Sequence, residues 1–207
     1  SQHAASFSAG HIVSASAFHV VYKALCNEGK LAQYYPDLSD TSLVATAAVP
    51  HSRFATNTLP QFKNVQPLPR FANNGENNAL VLVRRALQED PMFAELLGLP
   101  SLNVHGSSDS AIMGFYMDCL YLLGASAQDI VRLTVLGYDA TGASLASEYL
   151  TLFSLPFEGP NASIVLVEGD IVIVRDKNGF RPQRGVISDD WLYSGSELGA
   201  MAGLEPS

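Results

Sequence analysis

Apolar residues alternate from the start of the chain: "HIVSASAFHVVYKAL" is rich in Val, Ile, Phe and Tyr and predicts a pair of short strands turning near Ser16 and Ala17. "YYPDLSD" reads as a turn, because proline fixes φ and aspartate bonds back to the local backbone. "SLVATAAVPHSRFATN" resumes as a strand that leads into a polar loop. The period changes in "QPLPRFANNGENNALVLVRRALQ", where prolines and an Asn-Gly pair predict a loop and Ala79, Val83 and Leu87 then recur at helical spacing. The clearest helix is "GSSDSAIMGFYMDCLYLLGAS". Serines and Asp109 supply its capping chemistry, Ile112, Met113, Tyr116, Leu120 and Leu123 form one apolar stripe, and Gly124 stops it. A further helix is expected around residues 126 to 136. The last quarter holds apolar runs separated by Gly169-Asp170, Asn178-Gly179 and Asp189-Asp190, which read as hairpins. Strands at both ends with helices between them predict an α+β layered fold, and 207 residues without repeat or linker predict a single domain over 1–207.

Composition narrows the partners. A hydrophobic content of 47% suits one substantial core. The net charge of −8, with 12 basic residues scattered along the chain, offers no footprint for phosphate backbones or anionic lipid, so neither nucleic acid nor membrane is expected as a partner. The longest apolar runs are strand-length. Cys26 and Cys119 are too few for a disulfide framework, and His3, His11, His19, His51 and His105 are spread without ligand spacing, so no metal is expected. "SQHAASFSAG" has neither the basic start nor the apolar stretch of a secretory signal, and the expected location is cytoplasmic.

Four polar clusters carry the candidate chemistry: "HSRFATNTLP", "NNGENN", "SSDS" and "DKNGFRP". Each alone has a local explanation, as a buried arginine tying down a loop, a turn, a helix cap and a hairpin corner. In this order, and together with "YYPDLSD", "QPLPRFANNGENNAL", "PFEGPNAS" and "SGSELG", they resemble the N-terminal class-II glutamine amidotransferase domain of glutamate synthases, over about residues 11 to 200. The resemblance implies an Ntn-hydrolase fold, a layered αββα sandwich, expected to be incomplete in this chain.

Residue types fit the chemistry that the resemblance implies. Free glutamine presents an α-carboxylate, an α-ammonium and a side-chain amide that passes through a tetrahedral oxyanion. The position matching Arg53 pairs with the carboxylate, where a planar guanidinium bonds in a bidentate way. Asp109 matches the aspartate that takes the ammonium, and Asn74 and Gly75 match the two donors of the oxyanion hole. Thr56 and Asn57 are expected to shape the pocket wall, as is the "NGFRP" loop. Two positions depart from the family pattern: Asn73 stands where a histidine is usual and Asn77 where an isoleucine is usual.

The nucleophile is the larger departure. Class-II amidotransferases attack with an N-terminal cysteine whose own α-amino group acts as base. This chain begins with Ser1, and the matched region lies downstream of the cysteine-bearing segment in glutamate synthases. Three expectations stay open: that a second chain or a removed segment supplies the cysteine, that the domain binds glutamine or glutamate or holds a complex without hydrolysis, or that Ser1 itself is the nucleophile. Cys26 and Cys119 read as plain core cysteines. FMN and an iron–sulfur cluster would belong to associated synthase modules, with none expected in this chain.

Overall fold

The helix α4 (Asp109–Leu122) is the element on which the rest of the chain is assembled. Ser108 caps it, its Oγ accepting the Ala111 N–H at 3.2 Å, and Gly124 ends it at φ +80°, a conformation that side chains rarely adopt. Of the predicted stripe, Ile112, Met113, Tyr116 and Leu120 are buried and Leu123 is partly buried; Met117 and Cys119 are buried too, because α4 is covered on more than one side. The computed structural model describes residues 13–27, 29–54, 59–77, 80–98, 108–136, 157–167 and 169–202.

Against α4 lies a three-stranded antiparallel sheet in the order β1 (Phe71–Gly75), β2 (Asn161–Val167), β3 (Asp170–Arg175). Phe71, Val165, Val172 and Val174 join the same core as Ile112, Met113, Tyr116 and Leu120. The other flanks are covered by α2 (Leu80–Glu89) through Val83 and Leu87, α3 (Pro91–Leu96) through Phe93, and α5 (Ala127–Val131) through Ile130. Each such fully buried side chain contributes roughly 1.5–3 kcal/mol over its exposed state. Residues Arg132–Leu136 continue α5 as a π-helical turn, so the expected 126–136 helix is present, with Ser126 and Asp129 forming a capping box. A two-stranded sheet, β4 (Arg184–Ile187) with β5 (Leu192–Gly195), follows. The α+β expectation therefore holds, with helices packed on one face of an antiparallel sheet. The other face carries Ile164, Leu166 and Ile173 half-buried and Ile171 44% exposed.

Several local expectations are corrected. The strand pair over 11–25 and the strand expected from "SLVATAAVPHSRFATN" contain no strand among the described residues. Alternation makes a segment competent for a sheet, but a strand exists only where a partner supplies the ladder, and Phe18 and Val44 remain exposed here. Lys23 anchors the first segment instead, donating from Nζ to the Val65 carbonyl at 3.3 Å, and Tyr35 Oη donates to the Lys23 carbonyl at 2.8 Å. Asn74 and Gly75 end a strand rather than lie in a loop, because β2 was available to pair with them. Gly169 and Asp189-Asp190 do turn hairpins, whereas Asn178-Gly179 lies on a connection between the two sheets. No helix among the described residues is long and apolar enough to cross a membrane.

At the solvent side of α4, Arg70 stacks over the Tyr121 ring at 3.5 Å and lies 3.5 Å, Nε to Oδ1, from Asp118. Burial nevertheless pushes the Asp118 carboxyl up to about 6, outweighing the downward pull of Arg70. A raised acid holds its proton better folded than unfolded, so its contribution to stability is full at low pH and is lost as pH rises through about 6. Asp118→Asn is expected to reduce the fall in thermal midpoint between about pH 4 and about pH 6.5, read by circular dichroism against the unsubstituted chain. An unchanged difference would show that Asp118 titrates normally.

Candidate active site

The end of β1 is set by its pairing with β2, where Asn73 lies opposite Ser163 and Gly75 opposite Asn161. Backbone groups alternate along an antiparallel ladder. The Arg70 carbonyl accepts the Leu166 N–H and the Glu76 N–H donates to the Pro160 carbonyl, so even-numbered residues face β2. Phe71 and Asn73 face outward, bonding to Leu68 and to the Gln66 side chain, and the Gly75 N–H falls on that same outer edge. Side chains alternate too. Asn73 points to the α4 side, where it meets Ser110, and Asn74 points to the opposite face.

Glycine is required at 75. A Cβ there would overlap the Pro160 carbonyl oxygen and stand 2.6 Å from Asn161 Cα.

Asp109 is the first residue of α4, where the partial positive end of the helix favours a carboxylate. Its Oδ2 accepts the backbone N–H of Asn77 at 3.3 Å, which brings the carboxylate to the end of the Asn74–Gly75 strand. The two departures from the family pattern sit beside it. Asn73 is 3% exposed, with Nδ2 donating to Ser110 Oγ at 3.4 Å and Oδ1 accepting from Ser163 Oγ at 3.1 Å. Asn77 is 5% exposed; its Nδ2 reaches the weakly accepting Met113 sulfur at 3.3 Å, and its Oδ1 has no partner among the described residues.

The "DKNGFRP" segment reaches the same end of the sheet. The Asp176 N–H donates to the Asn161 carbonyl at 2.9 Å, and its carboxylate accepts from the N–H groups of Phe180 at 2.9 Å and Arg181 at 3.1 Å. Burial pushes the Asp176 carboxyl up, but donation from the backbones of Phe180, Arg181, Asn161 and Gly179 outweighs it and holds the group below the usual carboxylate range. Three of the four polar clusters thus converge on β1, β2 and the start of α4.

Arg53, in the fourth, is exposed, lies outside any helix or strand, and makes no side-chain bond to Asn74, Gly75 or Asp109 among the described residues. Burial pushes its neighbour His51 down; a hydrogen bond with the Arg53 backbone opposes that, and the Arg53 charge adds to it. Thr56, Asn57 and Ser1 lie outside the described residues. A cavity of about 310 Å³ opens on the α4 side of the sheet, between Met117, Phe157, Asn161, Ser163 and Asp176. None of Arg53, Asn74, Gly75 and Asp109 lines it. Cys119 is fully buried; burial, helped by Asp118, pushes its thiol up to about 12, which removes it as a nucleophile at neutral pH.

Sequence reasoning missed Gln66, which bonds to Asn73 and to Ser110 of the "SSDS" cluster. Periodicity carries no signal for a polar residue buried by long-range pairing.

The chain belongs to the class-II glutamine amidotransferases, whose family model matches residues 2–206. Within that family it is a glutamate-synthase-like amidotransferase domain. It is 30% identical to the ferredoxin-dependent glutamate synthase of Antithamnion sp., over 91% of this chain and 13% of that protein. It is 28% identical to the large chain of the NADPH glutamate synthase of Bacillus subtilis (strain 168), over 92% of this chain and 14% of the other. For the NADH glutamate synthase of Saccharomyces cerevisiae (strain ATCC 204508 / S288c) the identity is 31%, over 88% of this chain and 9% of the other. The chain thus spans a small part of the length of the curated relatives it matches.

Two substitutions test this geometry. Gly75→Ala is expected to force β1 and β2 apart and to destabilise the chain by about 1–3 kcal/mol in urea denaturation. Asn77→Ile removes a buried acceptor that lacks a partner and is expected to raise the urea midpoint, by about 1 kcal/mol of stability. A lowered midpoint for Asn77→Ile would mean that Oδ1 is satisfied.

Proposed function

We propose that this chain forms the glutamine-binding part of a glutamate-synthase-type amidotransferase. The observation that carries it is the hydrogen bond from the Asn77 N–H to Asp109, which holds an ammonium-binding carboxylate at the end of the strand that presents Gly75. Asp109 takes the α-ammonium and Arg53 the α-carboxylate of glutamine. Asn74, from its side chain, and Gly75, from its N–H, receive the oxyanion formed when a thiolate attacks the amide carbon. Collapse of that intermediate breaks the C–N bond and releases ammonia to an acceptor, and water then hydrolyses the thioester to glutamate. Thr56 and Asn57 shape the wall.

In this reading the thiolate comes from an N-terminal cysteine on another segment or chain, which packs on the sheet face that carries Asn74. The half-buried Ile164, Leu166 and Ile173 and the more exposed Ile171 give that face the apolar character such a layer needs. FMN and an iron–sulfur cluster serve a synthase module in the cytoplasm, beyond this domain. A second reading is a glutamine- or glutamate-binding domain that does not hydrolyse; Cys119, buried as it is, supplies no thiolate in either reading.

Arg53→Ala and Asp109→Ala are each expected to weaken glutamine binding by more than about 2 kcal/mol in calorimetry while circular dichroism stays unchanged. Undiminished affinity in both would remove the assigned roles. A glutaminase assay on material purified untagged from the native host, with its intact mass, separates the two readings: ammonia release with a co-purifying cysteine-starting fragment supports the enzyme, and glutamine binding without release supports the binding domain.

A further inference from the structure

The outer edge of β1 is closed at Asn73 by a side chain. The Asn73 N–H donates to Gln66 Oε1 at 2.6 Å, and Gln66 Nε2 donates to the Asn73 carbonyl at 3.0 Å, so the amide pairs with the strand as a neighbouring backbone would. The second proton of Nε2 goes to Ser110 Oγ at 3.1 Å. Gln66 is 8% exposed, and Asn73 and Ser110 are buried with it. Asn73 precedes Asn74, and Ser110 follows Asp109. A single amide therefore spans from the strand that ends in Asn74 and Gly75 to the helix start that carries Asp109.

We propose that Gln66 is a positioning residue of the glutamine site, setting the separation between the Gly75 N–H and the Asp109 carboxylate. The proposal rests on the reading of the site given above. Glutamine joins its ammonium to its side-chain amide by a short chain of fixed length, so the protein groups that meet those two ends must keep their spacing; a misplacement of about 1 Å can cost on the order of 10²-fold. The task needs an acceptor and two donors on one planar group, which only a primary amide supplies in that space. It also needs the edge closed at Asn73 and not at Gly75. Two residues further along a strand is about 7 Å, beyond the reach of the same amide, so the Gly75 N–H stays on the edge that Gln66 leaves open.

The test uses the whole chain and two probes: L-glutamine, and L-2-aminopentanoate, which has the same α-groups and chain length but no side-chain amide. In Gln66→Met the amide of Asn77, which is bonded to Asp109, is expected to exchange hydrogen about ten-fold faster or more, with the β2–β3 ladder unchanged. Glutamine affinity should fall about ten-fold, and L-2-aminopentanoate affinity by less than about two-fold. Ser110→Ala removes the helix end of the bridge, where Gln66 Nε2 and Asn73 Nδ2 both donate, with a residue that favours helix, and decides whether this bridge sets the spacing if Gln66→Met does not fold; it should weaken glutamine several-fold and spare the second probe. Equal loss of both probes, as general destabilisation would give, or unchanged selectivity in a folded variant, overturns the positioning role while glutamine binding by the parent chain still supports the site. If the parent chain binds neither probe, the site reading itself falls and the positioning role with it, leaving altered exchange as the mark of a structural brace.

Discussion

A polar group taken out of water has to find its full set of partners inside, and that requirement governs the contact between α4 and the first sheet. Three buried polar residues, Asn73, Ser110 and Ser163, sit where a helix-on-sheet contact would ordinarily be apolar. Gln66, Asn73, Ser110 and Ser163 answer one another, and each bond in the set is directional. Apolar packing tolerates sliding; this seam does not. It gives the hydrophobic core of α4 one register against β1 and β2, and thereby brings Asp109 beside Gly75.

Charge is handled differently at three aspartates, and the differences follow from what surrounds each one. Asp109 stands at a helix start with a backbone donor beside it. Asp176 is ringed by backbone N–H groups, which outweigh the cost of burying it. Asp118 has a cation within 3.5 Å and is still raised, because its burial is not matched by enough donors. Pairing with an opposite charge does less for a carboxylate here than close backbone hydrogen bonds do.

Much of the helical half was legible in the sequence because its signals are local: the Ser108 cap, the apolar stripe and Gly124 all act within a few residues of one another. The β2–β3 and β4–β5 turns were legible for the same reason. Long-range pairing was not. Asn74-Gly75 has the composition of a turn and became a strand end because Asn161 lies opposite it, while "HIVSASAFHVVYKAL" has the composition of strands and has no ladder among the described residues. Of the candidate residues, Asn74, Gly75 and Asp109 came from matched motifs and lie at the end of β1 and the start of α4, with the Asn74 side chain on the opposite face of the sheet. Gln66 escaped notice because its importance lies in partners 7 and 44 positions away.

Asn161 holds two parts of the molecule at once: its strand position faces Gly75, and its carbonyl receives the Asp176 N–H at the root of the "DKNGFRP" loop. A hydrogen-bonded ladder offers whole registers and nothing between them. Movement of that loop therefore cannot be passed to the strand in small amounts; it either leaves Asn161 in place or dislodges a rung. The position of Gly75 behaves like a detent, indifferent to gentle motion around it and lost in a single step.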